Sequence, residues 1–495
     1  MRSPLQKTTS LAFMALIFLS LQLWGQDKTP SSSEESGASS DKVPAVVGLW
    51  EGTLSVSGMK FRLGLNVKFE KGVLRSTLDS VDQGAMGIPV KRTSFKNGQF
   101  EISLPIIVAK FTGTLNADET KISGTWQQGL RLPLTLKRVK KASQLNRPQT
   151  PTGPFPYRSV EITIDRPVGN TKKTASIAGS LVLPEGKGPF PAVLLVTGNE
   201  ATDRDYKMAG HRPYLVLADD LARRGIASLR YDGRDVGKTT VPEKGATGRD
   251  RAEDAKIAWE YLKNRPEIQS NKVGIMGHSS GATIATMVAN QVPLAFVVHL
   301  AGPGVNGRQI LDRRLVVIMK LEGIPDQALQ FEVDIQTEML DTLIGNKVTP
   351  KSVVTMMTLL AKLLKNSRYF ERLSATERSE VARRRVRQLL EPWFRFYLTY
   401  DPREALRTIP CPILVMCGSL DSEVVPAQNL PEIAKALASA PTTDWSMVKL
   451  PGLNHLFQTA KKGTPSEYGS IQETFAPQAL EIIADWIARR VAPNR

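Results

Sequence analysis

The stretch KVGIMGHSSGATIA, residues 272–285, decides the fold class. An apolar run typical of a buried strand leads into small residues typical of a closely packed helix. Between them, residues 277–281 read GHSSG and have the G-x-S-x-G spacing of a strained strand-to-helix turn. At this spacing Ser279 is the candidate nucleophile, and Ser280 supplies the next backbone N–H. Because the motif is short, it becomes evidence only in a fitting context.

The first 25 residues have the composition of a signal peptide. Arg2 and Lys7 precede an apolar run at 11–24, which is shorter than the roughly 20 residues that span a bilayer. The bulky residues before Gly25 leave an uncleaved membrane anchor as the alternative. We therefore expect an exported protein, periplasmic or secreted, without stable membrane insertion once residues 1–25 are removed.

The two cysteines do not predict a disulfide, although export favours one. Cys411 and Cys417 lie in one predicted strand, roughly 20 Å apart along it, which is too far for a bond. We expect two buried thiols and a fold held by its hydrophobic core.

The net charge of +17 is compatible with nucleic acid, anionic lipid or acidic polysaccharide as a partner. Export argues against nucleic acid, and no aromatic-interleaved basic motif accompanies the charge. The favoured interpretation is that the charges lie on solvated helix faces and linkers. We expect no nucleic-acid partner and make no prediction of oligomeric state.

The N-terminal part of the chain is predicted to be a β-domain. A Ser/Glu-rich stretch at 26–44 reads as a disordered tether. Residues 45–140 alternate apolar and polar side chains, most regularly at 60–70, and Asn97-Gly98 marks a hairpin. The prediction is a small antiparallel barrel or sandwich, followed by a Pro-rich linker at 141–158.

Residues 159–495 alternate predicted strands and helices, which is typical of a mostly parallel sheet with helices on both faces. A helical stretch at 305–400 interrupts this order and is interpreted as a cap inserted over the active edge of the sheet. Besides the strand before GHSSG, the predicted strands are 177–184, 191–197, 226–231, 294–301, 412–417 and 446–450, and the predicted helices are 214–224, 250–264, 429–440 and 477–491.

A nucleophilic serine needs a base and an acid that orients the base, and on this fold the chain order is Ser, then Asp or Glu, then His. Of the four histidines, only His455 lies late enough, just after the strand at 446–450. Asp421 follows the strand at 412–417 by four residues and is the predicted acid. Glu423 is the alternative acid, although the G-x-x-D-x-x-V spacing favours Asp421.

Acyl transfer also requires donors for a developing oxyanion. The Ser280 N–H is one predicted donor. The second is the Asn199 N–H, in the loop after the strand at 191–197.

The other histidines receive no catalytic role. His278 is expected to pack away from the site, His299 to be a hydrogen-bonded core residue, and His211 is left as a possible pocket residue. No Cys/His spacing indicates zinc and no Gly-rich loop has phosphate-binding spacing, so no metal and no cofactor are predicted.

With these residues placed, the chain resembles the α/β-hydrolase superfamily, and within it the exported bacterial esterases related to the prolyl oligopeptidase and dienelactone hydrolase group. The resemblance implies Ser279 as nucleophile with Asp421 and His455 as its partners. GLWEGTLSV and GTWQQGLRLPLTLKR also look like the β-domain that precedes such hydrolases. The matching segments are GSLVLPEGKGPFPAVLLVTG, HRPYLVLADDLARRGIASLRYDGRDVGKTT, GHSSG, DPREALRTIPCPILVMCGSLDSEVVP and LNHLFQTAKKGTPSEYGSIQETFAPQALEIIADWI.

Two segments depart from the family pattern. Gly198-Asn199-Glu200 stands where these proteins usually have Gly-Ser-Gly, which places a carboxylate near the expected oxyanion. Residues 232–239, DGRDVGKT, stand in place of D-x-R-G-x-G-x-S.

The sequence therefore predicts a serine hydrolase that cleaves small carboxylic esters through an acyl-enzyme, with activity rising through about pH 6–7 as the His455 base becomes neutral. A serine peptidase of the prolyl oligopeptidase type, with the same triad, is the first alternative. A non-catalytic protein that binds glycan or lipid on a hydrolase scaffold is the second.

Overall fold

The computed structural model describes residues 43–492 apart from 57–58, 106, 108, 129, 144, 168–173, 199–201, 346–348 and 367–374. The predicted signal peptide at 1–25 and most of the tether at 26–44 lie outside the described residues. No helix in the part of the chain that is described is both long and apolar enough to cross a membrane.

The N-terminal domain is a curled antiparallel sheet in the order β4-β3-β2-β1-β9-β8-β7-β6-β5. Its apolar face encloses a core that contains Trp50, Phe100 and Phe111 at 0% exposure. The sheet curls far enough for Thr93 of β5 to donate a hydrogen bond of 3.0 Å to Ser76 of β3. The strands are β1 Gly48–Val56, β2 Met59–Glu70, β3 Val73–Ser80, β4 Ala85–Pro89, β5 Arg92–Lys96, β6 Gln99–Leu104, β7 Ala109–Leu115, β8 Lys121–Gln128 and β9 Leu130–Val139.

The second sheet has the order β10-β11-β13-β12-β14-β15-β16-β17. The six strands from β13 to β17 in this order are parallel, whereas β10 and β11 pair antiparallel at one edge. The predicted α/β-hydrolase sheet is confirmed, but the sequence analysis did not identify β10. The strands are β10 Tyr157–Pro167, β11 Thr174–Pro184, β12 Phe190–Val196, β13 Ala227–Tyr231, β14 Ile268–His278, β15 Val297–Leu300, β16 Ile413–Gly418 and β17 Trp445–Leu450.

Helices cover both faces of this sheet because successive strand residues point to opposite sides. Ile275 of β14 packs into the core beneath the helices at 248–263, 280–289 and 426–437. Met276 packs into the core beneath the helices at 213–223 and 477–491. Gly225, with a φ of 79°, follows the helix at 213–223 as predicted. The helices outside the insertion are α1 Pro213–Arg223, α2 Gly248–Lys263, α3 Ser280–Ala289, α9 Pro402–Leu406, α10 Pro426–Leu437 and α11 Pro477–Val491.

The predicted helical insertion is confirmed between β15 and β16. Its helices bury a separate apolar core that includes Leu340, Met356 and Leu398. The insertion therefore has its own packing, and Phe396 of its last helix also packs against the core of the hydrolase domain. Its helices are α4 Gly307–Leu321, α5 Asp326–Ile344, α6 Pro350–Asn366, α7 Ala375–Leu389 and α8 Pro392–Thr399.

The departure from the family pattern at residues 232–239 fits the local backbone. Asp235 occupies the position where the family has glycine and adopts a φ of 56°, a conformation that Asp tolerates better than most residues. Thr239 replaces the serine, and its hydroxyl donates to the Asp232 carbonyl at 3.2 Å and accepts from the Ala178 N–H at 2.9 Å.

Segments from the N-terminal half contact the hydrolase domain close to its last loops. Gly84, which follows the 3-10 turn Val81–Gln83, packs closely against the backbone of Ala209. An added Cβ at Gly84 would lie only 2.5 Å from that backbone. Arg147 donates to the carbonyls of Ala209 and Gly469, each at 2.8 Å. Gln149 donates to the Phe475 carbonyl at 2.7 Å.

Both cysteines are free, buried thiols, as predicted. Burial raises the pKa of each thiol to about 12, so neither is a reactive thiolate at neutral pH.

Candidate active site

The GHSSG segment forms a tight turn between β14 and α3. Ser279 has a φ of 57° and a ψ of −128°, a conformation that is costly for a residue with a side chain. A Cβ at Gly277 would lie 2.1 Å from the Gly281 carbonyl oxygen, and one at Gly281 would lie 2.4 Å from the Val196 oxygen. Only glycine fits at either position, and the turn between them presents Ser279 at the carboxyl edge of the parallel strands.

The predicted acid and base lie together after β16 and β17. His455 Nδ1 donates to Asp421 Oδ2 at 2.8 Å, and both residues are 3% exposed. The other carboxylate oxygen of Asp421 accepts the backbone N–H groups of Glu423 at 2.9 Å and Val424 at 2.8 Å. These bonds fix the carboxylate, which in turn fixes the imidazole with Nε2 as the nitrogen available to accept a proton.

Two opposing effects act on the pKa of His455. Burial lowers this pKa, because it disfavours the imidazolium, whereas the carboxylates of Asp421 and then Glu423 raise it. The carboxylates prevail, so the pKa lies above its usual value of 6.5.

The imidazole of His455 lies beside the residue that precedes the candidate nucleophile. The ring centroids of His278 and His455 are 4.7 Å apart, and His278 Nε2 donates to the His455 carbonyl at 2.7 Å. Within the described residues no hydrogen bond joins the Ser279 hydroxyl to the His455 imidazole. Such bonds are often long without a substrate. The structure thus joins Asp421 to His455 and places Ser279 next to a residue that contacts His455.

The prediction that His278 packs away from the site is wrong. Besides the bond of its Nε2 to His455, the ring Nδ1 of His278 accepts from the Tyr206 hydroxyl at 3.3 Å. The backbone N–H of His278 donates to the Tyr214 hydroxyl at 3.2 Å. Burial, followed by the nearby charge of His455, lowers the pKa of His278 to about 3, so the ring is neutral. The alternation of side chains along β14 could have predicted this placement, since His278 lies on the same face of the strand as the buried Met276.

Glu423, the alternative acid, has other partners. Its Oε1 accepts from the Tyr468 hydroxyl at 2.6 Å, and its Oε2 lies 3.0 Å from Arg314 Nη2 of α4. The carboxylate that orients His455 in this structure is therefore that of Asp421. Sequence reasoning missed Arg314, which is one of many arginines in the insertion.

One of the two predicted oxyanion donors can be placed. Ser280 is the first residue of α3 and directly follows Ser279. A Cβ added at Gly198 would lie 2.1 Å from Ser280 Oγ, so the loop after β12 begins directly against this helix end. Asn199 and Glu200 lie outside the described residues.

The two remaining histidines are buried, and no hydrogen bond between described residues joins either of them to Asp421 or His455. His211 Nδ1 accepts from Thr474 Oγ1 at 2.9 Å, and its Nε2 donates to the Tyr468 carbonyl at 3.0 Å. His299 is completely buried as predicted, but neither ring nitrogen has a hydrogen-bond partner among the described residues. Burial lowers the pKa of each of the two rings to about 4.

The chain belongs to the alpha/beta hydrolase family, whose sequence model matches residues 193–462. Esterase EstD of Thermotoga maritima is 24% identical over 318 residues, which cover 63% of this chain and 66% of that protein. Esterase FrsA of Escherichia coli is 29% identical over 206 residues, which cover 39% of this chain and 46% of that protein. The matched region spans less than two thirds of the length of either curated relative.

A solved structure of an esterase from Pyrococcus furiosus is also similar to this chain. The match covers 71% of this chain and 100% of that one, with 14% sequence identity and a TM-score of 0.39.

The buried neutral histidines predict a loss of stability on acidification. Unfolded histidine takes up a proton near pH 6.5, whereas His211, His278 and His299 resist protonation down to a pKa of about 4, 3 and 4. Below about pH 6.5 the unfolded state therefore binds more protons, and the free energy of unfolding falls by up to about 1.4 kcal/mol per pH unit for each residue. His455, whose pKa is raised, has the opposite sign and acts mainly above about pH 6.5.

Urea unfolding at pH 7, 6 and 5 measures this slope. His299→Leu removes one of these groups and is expected to reduce the slope by up to about 1.4 kcal/mol per pH unit between about pH 6 and 5. An identical slope in the variant and the wild type would contradict the prediction.

Proposed function

We propose that this protein is an exported serine hydrolase that cleaves carboxylic esters through an acyl-enzyme, with Ser279, Asp421 and His455 as its triad. The observation that carries the proposal is the buried 2.8 Å bond from His455 to Asp421, beside a strained turn that presents a serine. The esterases EstD and FrsA support the ester class. Export is proposed from the composition of residues 1–25, and N-terminal sequencing of the protein recovered outside the cytoplasm tests it.

In the proposed reaction, Ser279 Oγ attacks the ester carbonyl carbon while His455 Nε2 accepts the hydroxyl proton. Asp421 stabilises the imidazolium through the Nδ1–H bond. The tetrahedral oxyanion accepts hydrogen bonds from the N–H groups of Ser280 and Asn199.

The intermediate collapses when the C–O bond to the alcohol breaks, and His455 returns the proton to the departing alkoxide. Water then attacks the acyl-enzyme with His455 again as base. This second step releases the carboxylic acid and restores the Ser279 hydroxyl.

Substitution of the serines tests which one is the nucleophile. Ser279→Ala is expected to lower kcat on p-nitrophenyl esters by up to ~10⁶-fold, because no other group in the proposed mechanism forms the acyl bond. Ser280→Ala retains the backbone N–H and is expected to cause a far smaller loss.

Labelling with a fluorophosphonate probe checks the same assignment without turnover, since Ser279→Ala should not react. Full esterase activity in Ser279→Ala would contradict the assignment. A wild-type protein that neither reacts with the probe nor cleaves esters would instead support the binding-protein alternative. Parallel p-nitroanilide peptides measure any preference for amides.

The pH dependence of kcat/KM follows from the surroundings of His455. The base must be neutral, and its pKa is raised above 6.5 by its carboxylate partners, so activity is expected to increase with pH through a value above 6.5. This places the transition above the value of about 6.5 that is typical of an unperturbed histidine. A pH series of kcat/KM measures it, and a transition below about pH 6 would contradict the assigned surroundings.

A further inference from the structure

A second carboxylate lies close to the proposed base. Glu423 is two residues after Asp421 and is 7% exposed. The Tyr468 hydroxyl donates to one of its oxygens at 2.6 Å, and Arg314 Nη2 lies 3.0 Å from the other. The side chains of Arg314 and Glu423 are 12% and 8% exposed, so bulk water screens this ion pair only weakly.

Arg314 is held in place because α4 is attached to the loop that follows His455. Glu322, the residue after α4, accepts from Thr464 Oγ1 at 2.6 Å and from Ser466 Oγ at 2.7 Å. Glu322 and Arg314 are separated along the helix by about 12 Å. The helix is therefore fixed at two points, one on the loop after β16 and one on the loop after β17.

Among the described residues, three charged side chains act on the His455 imidazole. Asp421 and Glu423 are negative, and Arg314 is positive. His278 is neutral because its pKa is lowered to about 3, and Tyr468 is neutral because burial raises its pKa well above 10.0. Arg314 thus offsets one of two negative charges around the imidazole.

The offset matters because a general base must be unprotonated. Two unbalanced carboxylates in a buried site favour the imidazolium, which is unable to accept the serine proton. Asp421 is needed to orient the ring, so the charge that requires compensation is that of Glu423.

We propose that Arg314 and Glu423 are positioning residues for the hydrolase proposed above, in which the inserted helix α4 supplies a cation that offsets the second carboxylate beside His455 and leaves the imidazole free to accept a proton. The insertion then has a role in the chemistry. Neither residue contacts the reacting atoms, and both act through His455.

This role is tested by removing either the positive charge of Arg314 or the negative charge of Glu423. Arg314→Met leaves Glu423 unbalanced and is expected to raise the pKa of His455 by about one unit. Glu423→Gln removes the carboxylate, keeps the shape and leaves Arg314, so it is expected to lower the pKa of His455 by a similar amount. Arg314→Lys keeps the charge and is expected to stay close to the wild type.

Arg313→Met is the matched control, because Arg313 is the neighbouring residue on α4, carries the same charge and is exposed. It changes the net charge as Arg314→Met does, yet solvent screens it, so no comparable shift is expected.

Two readouts separate this inference from the proposed function. Histidine-labelled NMR titration follows the pKa of His455 directly, with His455→Asn used for assignment, and requires no turnover. The pH dependence of kcat/KM on p-nitrophenyl esters follows the same group in the reaction. If the wild type shows no esterase activity, the proposed function fails while the NMR titration still tests the charge offset.

Shifts of opposite sign in Arg314→Met and Glu423→Gln, with Arg313→Met unchanged, would support the proposal. If both variants leave the His455 titration unmoved, or shift it in the same direction, the pair serves only to attach the helix and the proposal is overturned. If Arg314→Met does not fold, the downward shift in Glu423→Gln and the unshifted Arg314→Lys decide the outcome.

Discussion

The close crossing of β14 and α3 at residues 277–281 is the constraint on which the rest of the site depends. Two glycines allow the backbone of the turn to approach the carbonyl oxygens of Gly281 and Val196 closer than any Cβ permits. The same approach forces Ser279 into a left-handed φ. The hydroxyl-bearing residue is thereby held at the edge of the sheet where β16 and β17 also end, so the loops carrying Asp421 and His455 need only be short.

The buried charges are arranged around one imidazole. Asp421 provides orientation through its bond to Nδ1, and its own position is fixed by two backbone N–H groups of the same loop. Because these side chains are buried, each nearby charge acts strongly on the protonation of His455. The neutral ring of His278 packs against His455 without adding a charge.

Much of the fold and of the candidate site follows from local sequence patterns. The GHSSG spacing indicates the turn, and the fixed order of strands in an α/β sheet predicts where Asp421 and His455 should lie. Strand β10 was missed although Val160, Ile162 and Ile164 alternate with polar residues, because this edge strand lacks the continuous apolar run that identified the buried strands of the second sheet. The Arg314–Glu423 pair was missed for another reason: helical periodicity identifies the buried face of α4 but not the distant loop that this face meets.

The contacts of Arg147 and Gln149 carry a consequence for how the chain divides into folding units. Both residues belong to the Pro-rich connection between the domains, yet they bond to the carbonyls of Ala209, Gly469 and Phe475. Those carbonyls flank His211 and Tyr468, and Tyr468 in turn donates to Glu423. A fragment that begins at β10 would lose these hydrogen bonds and leave the three carbonyls without their partners from the connecting segment. We therefore expect the smallest stable fragment that contains the second sheet to begin upstream of β10, within the connecting segment.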